Sequence, residues 1–525
     1  MLASDSLPAQ FNVATWFVDR NLDEGRGESV AFYCPDRNLT YGDVAELANR
    51  TGNALLDLGV EMEDRVLMAC LDGPEFVGTF WGAIRIGAVP VPVNTLLRAP
   101  DYLHLLNDSR ARAAVVSAAL LPEVAPALED SRHLRHVLVA GGPGHGYLSW
   151  EKRVERASAS LAAAPTSRDD AAFWLYSSGS TGFPKGAVHL HHDMVVCFET
   201  FARQVLGIRA SDRVFSAAKL FFAYGLGNSL YFPMGVGAQS ILFPPRPTAE
   251  AAFEVIARQR PTLFFAVPTL YAAMLAVPDT EAPFDLSSLR LCVSAGEALP
   301  AELYERWRER FGVEIVDGIG TTECLHMFIA NRPGAVRPGS SGQVVPGYEA
   351  VLVDDAERPV PPGEIGNLRI RGDSTMAGYW NQHEKTKATL YGPWIVTGDK
   401  YRQDEDGYFW YCGRSDDMLK VGGIWVSPVE VEAAIVRHPS VLEAAVVGRE
   451  DADGLVKPAA FVVLKEPGAG SDALAEELQA FVKDRIAPYK YPRWVEFVPD
   501  LPKTATGKTQ RFKLRQRGAP PRGST

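Results

Sequence analysis

The sequence predicts an α/β protein with a large N-terminal domain of layered α/β subdomains plus a small β subdomain, followed by a separate C-terminal α+β domain. Three observations carry this prediction. Short apolar runs alternate with helical patterns through the first two-thirds of the chain. Short strands and turn residues then dominate from Val344 to Tyr411. Beyond Gly413-Arg414-Ser415-Asp416-Asp417 a helix, two strands and a second helix follow in close order. The expected domains are 1–414 and 415–516, with a disordered tail over 517–525.

The elements follow in order. Leu39-Thr40-Tyr41-Gly42-Asp43 opens a helix whose apolar residues keep helical spacing to Leu58, where Gly59 stops it. Arg65–Cys70, Ala88–Val93 and Ala113–Val116 read as buried strands of a parallel sheet. Thr262–Val267, Leu289–Val293 and Glu314–Val316 continue the pattern, and Pro300–Phe311 is a helix with proline at its start. In the C-terminal domain Ser427–Arg437 and Asp472–Arg485 are helices, and Val441–Val447 and Ala459–Leu464 are strands.

Composition narrows the class. Apolar residues make up 46% and charged residues 22% of 525, the balance of a globular protein. The net charge of −11 argues against nucleic acid or anionic membrane as partners. Cys34, Cys70, Cys197, Cys292, Cys324 and Cys412 are widely spaced and make no metal-ligand pattern, which fits a reducing cytoplasmic setting. The N-terminus lacks a secretory signal, and no apolar run approaches the roughly 20 residues of a membrane-spanning helix.

The strongest chemical signal is the segment Ser177-Ser178-Gly179-Ser180-Thr181-Gly182-Phe183-Pro184-Lys185-Gly186, entered from the strand-like Phe173–Tyr176. Glycines free backbone N–H groups to face an anion, hydroxyls add donors and a lysine adds charge, which is what a polyphosphate requires. No GxxxxGK[ST] pattern is present: five residues before Gly507-Lys508-Thr509 stands Pro502. Gly142-Pro143-Gly144-His145-Gly146 has the wrong spacing for a dinucleotide loop and reads as a turn.

Further motifs follow that segment in order: Gly318-Ile319-Gly320-Thr321-Thr322-Glu323, Thr397-Gly398-Asp399, Gly413–Asp417 and Pro502-Lys503-Thr504-Ala505-Thr506-Gly507-Lys508. With them the chain resembles the acyl-adenylate-forming superfamily of acyl- and aryl-CoA synthetases over nearly its whole length. The resemblance implies ATP, Mg²⁺ and CoA as cofactors and co-substrates, and a C-terminal domain that is mobile about Asp416. It implies Lys508, Thr322, Glu323 and Asp416 as catalytic residues, with Glu323 holding the metal. ATP contacts fall on Ser177, Ser178, Gly179, Ser180, Thr181, Gly182, Lys185, Glu297, Asp317, Gly318, Ile319, Thr322, Asp399 and Arg414. Lys420, Gly422 and Gly423 would meet CoA. Ile319 departs from the Tyr of many relatives, replacing an aromatic adenine platform by an aliphatic one.

Lys219–Asn228, Val293–Ala298, Cys324-Leu325-His326, Asp416–Pro428 and Ala487–Pro492 closely resemble benzoate-CoA ligases. That resemblance implies an aryl-acid site at Ala223, Tyr224, Gly225, Ser294, Ala295, Gly296, Gly320, His326 and Lys508. A ring can stack on Tyr224 while the glycines leave room for its edge. Benzoate leads and 2-aminobenzoate follows; the expected protein is a monomer or homodimer. The alternatives are a freestanding adenylating enzyme that loads a carrier protein, and a non-catalytic nucleotide-binding protein.

Overall fold

The computed structural model describes residues 3–179, 182–278, 285–415, 417–421, 424–451, 455–503 and 509–517. The chain divides into two compact units, one of residues 1–338, 342–349 and 370–395 and the other of 339–341, 350–369 and 396–525.

Two buried sheets form the first unit. The larger has nine strands, with Val30–Tyr33, Gln239–Ile241, Arg213–Ser216, Leu263–Ala266, Leu291–Ser294 and Ile315–Gly320 running parallel through its middle. Met327–Ala330 and then the edge strand Gln343–Val344 add antiparallel on one side, and Asn38–Thr40 adds antiparallel on the other. The second sheet is parallel throughout: Val89–Pro92, Arg65–Ala69, Ala113–Ser117, His136–Ala140 and Leu148–Ser149. Uninterrupted apolar strands such as Ala113–Ser117 and Leu263–Ala266 are what a sheet covered on both faces needs.

The expected helix starts and stops are realised by capping. Thr40 Oγ1 accepts the Asp43 N–H at 3.1 Å while Asp43 returns an acceptor to the Thr40 N–H at 2.8 Å, opening helix Tyr41–Asp57. Helix Pro74–Arg85 crosses it closely because Gly82 has no side chain: a Cβ there would lie 2.9 Å from the Ala48 carbonyl. Beneath the larger sheet, Trp307 of helix Ala301–Phe311 is fully buried and meets the Tyr271 ring edge-on at 4.8 Å.

A third sheet in this unit carries the phosphate-type segment. Ala171–Gly179, Gly182–Leu190 and Gly378–Tyr379 pair antiparallel.

In the second unit, Trp394–Gln403 pairs antiparallel with Phe409–Arg414. Its C-terminal part places Val441–Glu450 against Val456–Leu464 and the latter parallel to Trp494–Phe497. Helices Pro428–Val436, capped by Ser427, and Asp472–Lys483, capped by Ser471, share its core. Within the β-rich span read from the sequence, His383–Thr389 forms a short helix. Arg517 closes the helix Arg511–Arg517, and the tail expected to be disordered lies, beyond Arg517, outside the described residues.

Truncating Trp307 to alanine leaves a cavity no neighbour can fill, and such changes cost about 3–5 kcal/mol. Thermal unfolding of Trp307→Ala should begin well below that of the unaltered chain; coincident melts would contradict the assignment of this residue to the core.

Candidate active site

The segment Ser177–Gly186, read from the sequence as a loop, is in its described part the end of a β-hairpin. Tyr176 pairs with Gly186, Ser177 with Lys185 and Gly179 with Gly182. The cause is upstream: Phe173, Trp174 and Leu175 are buried on one strand and Ala187 on the other, so the hydrophobic anchor extends the ladder towards the glycines. Ser178, Gly179 and Gly182 occupy the strand ends. Ser180 and Thr181 lie outside the described residues.

Near the turn end of this hairpin four side chains form one hydrogen-bonded chain. Tyr379 Oη donates to Glu323 Oε1 at 2.5 Å, Ser177 Oγ donates to the same oxygen at 3.3 Å, and Lys185 Nζ donates to Tyr379 Oη at 3.1 Å. The ammonium also sits 4.2 Å from the Tyr379 ring centre, a cation–π contact. Ser177, Lys185 and Glu323, all expected at the ATP site, come together: Ser177 bonds Glu323 directly across 146 positions of sequence, and Lys185 reaches it through Tyr379. Tyr379 joins them unannounced. The signal available was the aromatic pair in Gly378-Tyr379-Trp380, whose strand partner is Ala187–Val188.

The carboxyl ends of two parallel strands supply a second cluster. Ser294 and Asp317 are register partners and both are buried. Burial pushes the Asp317 carboxyl up from 3.8 to about 8, against the opposing pull of the Ser294 hydroxyl and the Leu299 and Gly318 amides. Its Oδ1 has no hydrogen-bond partner. Gly318, Ile319 and Gly320 continue the strand against Ala330, Ile329 and Met327. Gly320 must be glycine, since a Cβ would fall 2.5 Å from the His326 carbonyl oxygen. Beyond Ser294 and Ala295 the chain turns at Gly296, with φ +93°, and Glu297 Oε2 accepts from the Thr269 hydroxyl at 3.1 Å. This placement of polar groups at strand C-termini is where open α/β sheets bind ligands.

The expected aryl-acid residues gather beside these strands. Ala223–Leu226 is a helical turn that continues as the π-helix Gly227–Tyr231. Tyr224 turns its hydroxyl inward, donating to the Val293 carbonyl at 3.0 Å, and burial raises its phenol well above the ordinary value. Only the half-buried ring then remains to face a ligand. Gly225 is required by space, because a Cβ would lie 2.1 Å from the Lys219 carbonyl. The His326 ring lies 5.7 Å from that of Tyr224 and 4.5 Å from that of Phe232. Its Nε2 donates to Asn228 Oδ1 at 3.2 Å, and burial lowers its pKa to about 3, so the ring is neutral. Gly227 permits that approach, since a Cβ there would sit 2.6 Å from the imidazole. Gly227 and Asn228 were not expected as site residues.

In the second unit Asp399 and Arg414 are register partners on neighbouring strands. Arg414 Nη1 donates to Asp399 Oδ1 at 3.2 Å and to the Thr397 carbonyl at 3.0 Å, fixing both side chains over one edge. Lys420 lies on strand Leu419–Val421. Asp416, Gly422, Gly423 and Lys508 lie outside the described residues.

Among the described residues no group of three or more His, Cys, Asp or Glu could cage a metal. Glu323, with both of its side-chain hydrogen bonds on Oε1, suits an ion taken up by one carboxylate together with phosphate oxygens and water. Mg²⁺ is bound in that way.

The AMP-binding enzyme family matches residues 19–380, and the AMP-binding enzyme C-terminal domain matches residues 430–508. The benzoate–CoA ligase of Thauera aromatica is 54% identical over 97% of this chain and 96% of its own length. A crystal structure of an anthranilate CoA ligase in complex with anthranoyl-AMP superimposes with a TM-score of 0.94 at 48% identity, covering 99% of each chain. A benzoate CoA ligase structure from Burkholderia xenovorans gives 0.90 at 51% identity, covering 96% of this chain and 100% of that one.

The Asp317 proton has a consequence for stability. The folded chain holds it up to about pH 8, whereas the unfolded chain releases it near 3.8, so this group's contribution to stability falls as pH rises between those values. Melting temperatures of Asp317→Asn should therefore decline less from pH 5 to pH 8 than those of the unaltered protein. Parallel declines would contradict a buried, protonated Asp317.

Proposed function

This chain belongs to the AMP-binding enzyme family, and on that footing we propose that benzoate is the acid it joins to CoA. It is an AMP-forming acid–thiol ligase of the aryl-CoA class, using ATP, Mg²⁺ and CoA. The observation that carries the choice of acid is the full-length likeness to benzoate–CoA ligase, which agrees with the aromatic cluster of Tyr224 and His326, their rings 5.7 Å apart. A planar ring can stack on the face of Tyr224, whose hydroxyl is already engaged with the Val293 carbonyl.

In the proposed first step a benzoate oxygen attacks the α-phosphorus of ATP, and the bond to the pyrophosphate oxygen breaks. One O–P bond forms and one is lost, giving benzoyl-adenylate and pyrophosphate. Two anions meet, so the protein's part is electrostatic and positional. The hairpin residues Ser177–Gly182 and Lys185 take the β- and γ-phosphates, and Thr322 adds a donor. Glu323 would hold Mg²⁺, which supplies charge neutralisation on the phosphates. Asp399 accepts from the ribose hydroxyls, Asp317 and Gly318 meet the base, and Ile319 packs on its face.

Lys508 bridges the carboxylate and the α-phosphate. In the second step the C-terminal domain, 415–516, turns about Asp416, withdraws Lys508 and presents Lys420, Gly422 and Gly423 to pantetheine. The CoA thiolate then attacks the acyl carbon, and AMP leaves. Six free cysteines fit a reducing, cytoplasmic setting for such a thiol-using enzyme; no described helix is long and apolar enough to cross a membrane.

A second acid has its own support. The neutral His326 leaves Nδ1 without a partner, an acceptor that an ortho-amino group can satisfy. 2-Aminobenzoate is therefore the second substrate.

The test is pyrophosphate release and thioester formation over a panel of aryl acids. Benzoate should give CoA-dependent benzoyl-CoA with the highest kcat/KM, with 2-aminobenzoate next. Pyrophosphate without thioester would indicate carrier loading, and aliphatic acids outrunning both would overturn the aryl assignment. Lys508→Ala should abolish pyrophosphate release yet still convert supplied benzoyl-adenylate to thioester; equal loss of both half-reactions would contradict the domain turn.

A further inference from the structure

The turn Thr321–His326 carries Glu323 and contains a strained residue. Leu325 has φ +66° and ψ −42°, a conformation that a γ-branched side chain rarely adopts. Such backbone costs on the order of 1–3 kcal/mol and persists only where its surroundings over-determine it. Three consecutive carbonyls of this turn are tied from outside. The Thr322 oxygen lies 2.8 Å from His189 Nε2, the Glu323 oxygen accepts the Met376 N–H at 2.8 Å, and the Cys324 oxygen accepts the Ser374 hydroxyl at 2.7 Å.

The first tie has a built support. A carbonyl oxygen only accepts, so His189 Nε2 carries the donated proton. The other ring nitrogen lies 2.7 Å from Asp193 Oδ2, and both side chains are completely buried. Asp193 Oδ2 also accepts the Leu190 N–H at 3.1 Å, so the carboxylate is itself anchored to the strand that ends the hairpin. The His189 ring stacks on Phe173 at 5.2 Å, which fixes its plane. Packing alone requires none of this polarity, because a phenyl ring would fill the same space on Phe173. Two buried polar side chains stand between the hairpin strand and the Thr322 carbonyl, one residue from Glu323, which bonds Ser177 near the turn end of that hairpin.

We propose that His189 and Asp193 form a positioning pair that sets the Thr322–Glu323 turn for MgATP, with Asp193 orienting the imidazole and the imidazole holding the turn. The inference rests on the ligase reading above. The pair touches no reacting atom; it acts through the backbone and serves adenylation rather than thioester formation.

Two variants separate this role from packing. His189→Phe keeps the stacked ring and removes the donor, whereas His189→Gln keeps an N–H donor and loses the ring. Supports of this kind typically change affinity or activity by about 10–100-fold. His189→Phe should lose that much in benzoate-dependent pyrophosphate release and bind MgATP more weakly by calorimetry, without acid or CoA present. It should still convert supplied benzoyl-adenylate to benzoyl-CoA within about threefold of the unaltered enzyme. His189→Gln should recover most of both losses. If Phe equals or exceeds Gln, or if adenylation and thioester formation fall together, the positioning role is wrong. Should His189→Phe fail to fold, the Gln variant alone decides: a full loss of adenylation in it overturns the proposal, and retention supports it. Absence of pyrophosphate release in the unaltered enzyme would instead overturn the ligase reading.

Discussion

Bringing a carboxylate against a triphosphate is the constraint from which the arrangement of this protein follows. Two unit charges 4 Å apart repel by about 1 kcal/mol in water and by about 4 kcal/mol at the effective dielectric of a protein surface. Neither reactant carries a positive charge of its own to cancel this repulsion. The chain must therefore hold donors and cations in fixed places before the reactants arrive, so that no reorganisation is needed as they meet. The hairpin Ala171–Leu190 suits that need, with a buried apolar base, glycines at the described ends of its strands and Lys185 held by Tyr379. Tyr379 also grips Glu323, so the cation and the carboxylate are spaced by one phenol rather than collapsed into an ion pair.

The sheets determine where such groups can stand. Because Leu291–Ser294 and Ile315–Gly320 run parallel and are buried on both faces, their carboxyl ends are the places where polar residues emerge. Asp317 shows the cost of that position: burial holds its proton to about pH 8, so near neutrality it behaves as a neutral donor and acceptor rather than a charge. That suits contact with a nucleotide base better than an extra anion near a polyphosphate would. Strain at Leu325 belongs to the same set of fixed positions, the turn that contains it being held by ties from two separate segments, the strand bearing His189 and the stretch Ser374–Met376.

Local chemistry was legible in the sequence. Thr40 with Asp43 and Ser427 announce helix starts, and the apolar runs at Arg65–Ala69 and Leu263–Ala266 announce buried strands, because capping and burial depend on neighbours within one element. The ordered motifs carried the family, since each preserves a short spacing. Contacts set by register between distant segments were not legible. Nothing near Tyr379 in sequence says that it will reach Glu323, and nothing in His189-Leu190-His191-His192-Asp193 says which histidine turns towards Thr322. The hairpin at Ser177–Gly186 looked like a loop because glycines and hydroxyls disfavour strands locally, while pairing across from Lys185 and Gly186 overrides that preference. His326 was foreseen, but its neutrality depends on burial among Phe201, Tyr224 and Phe232, which only the packing reveals.

The central claim is that the acid's own oxygen becomes bonded to the α-phosphorus. Benzoate labelled with ¹⁸O in its carboxylate, turned over with ATP and CoA, tests this directly by mass spectrometry of the products. One label atom should appear in AMP for each benzoyl-CoA formed, with none in pyrophosphate. Label in inorganic phosphate with ADP as co-product, or unlabelled AMP, would contradict the account.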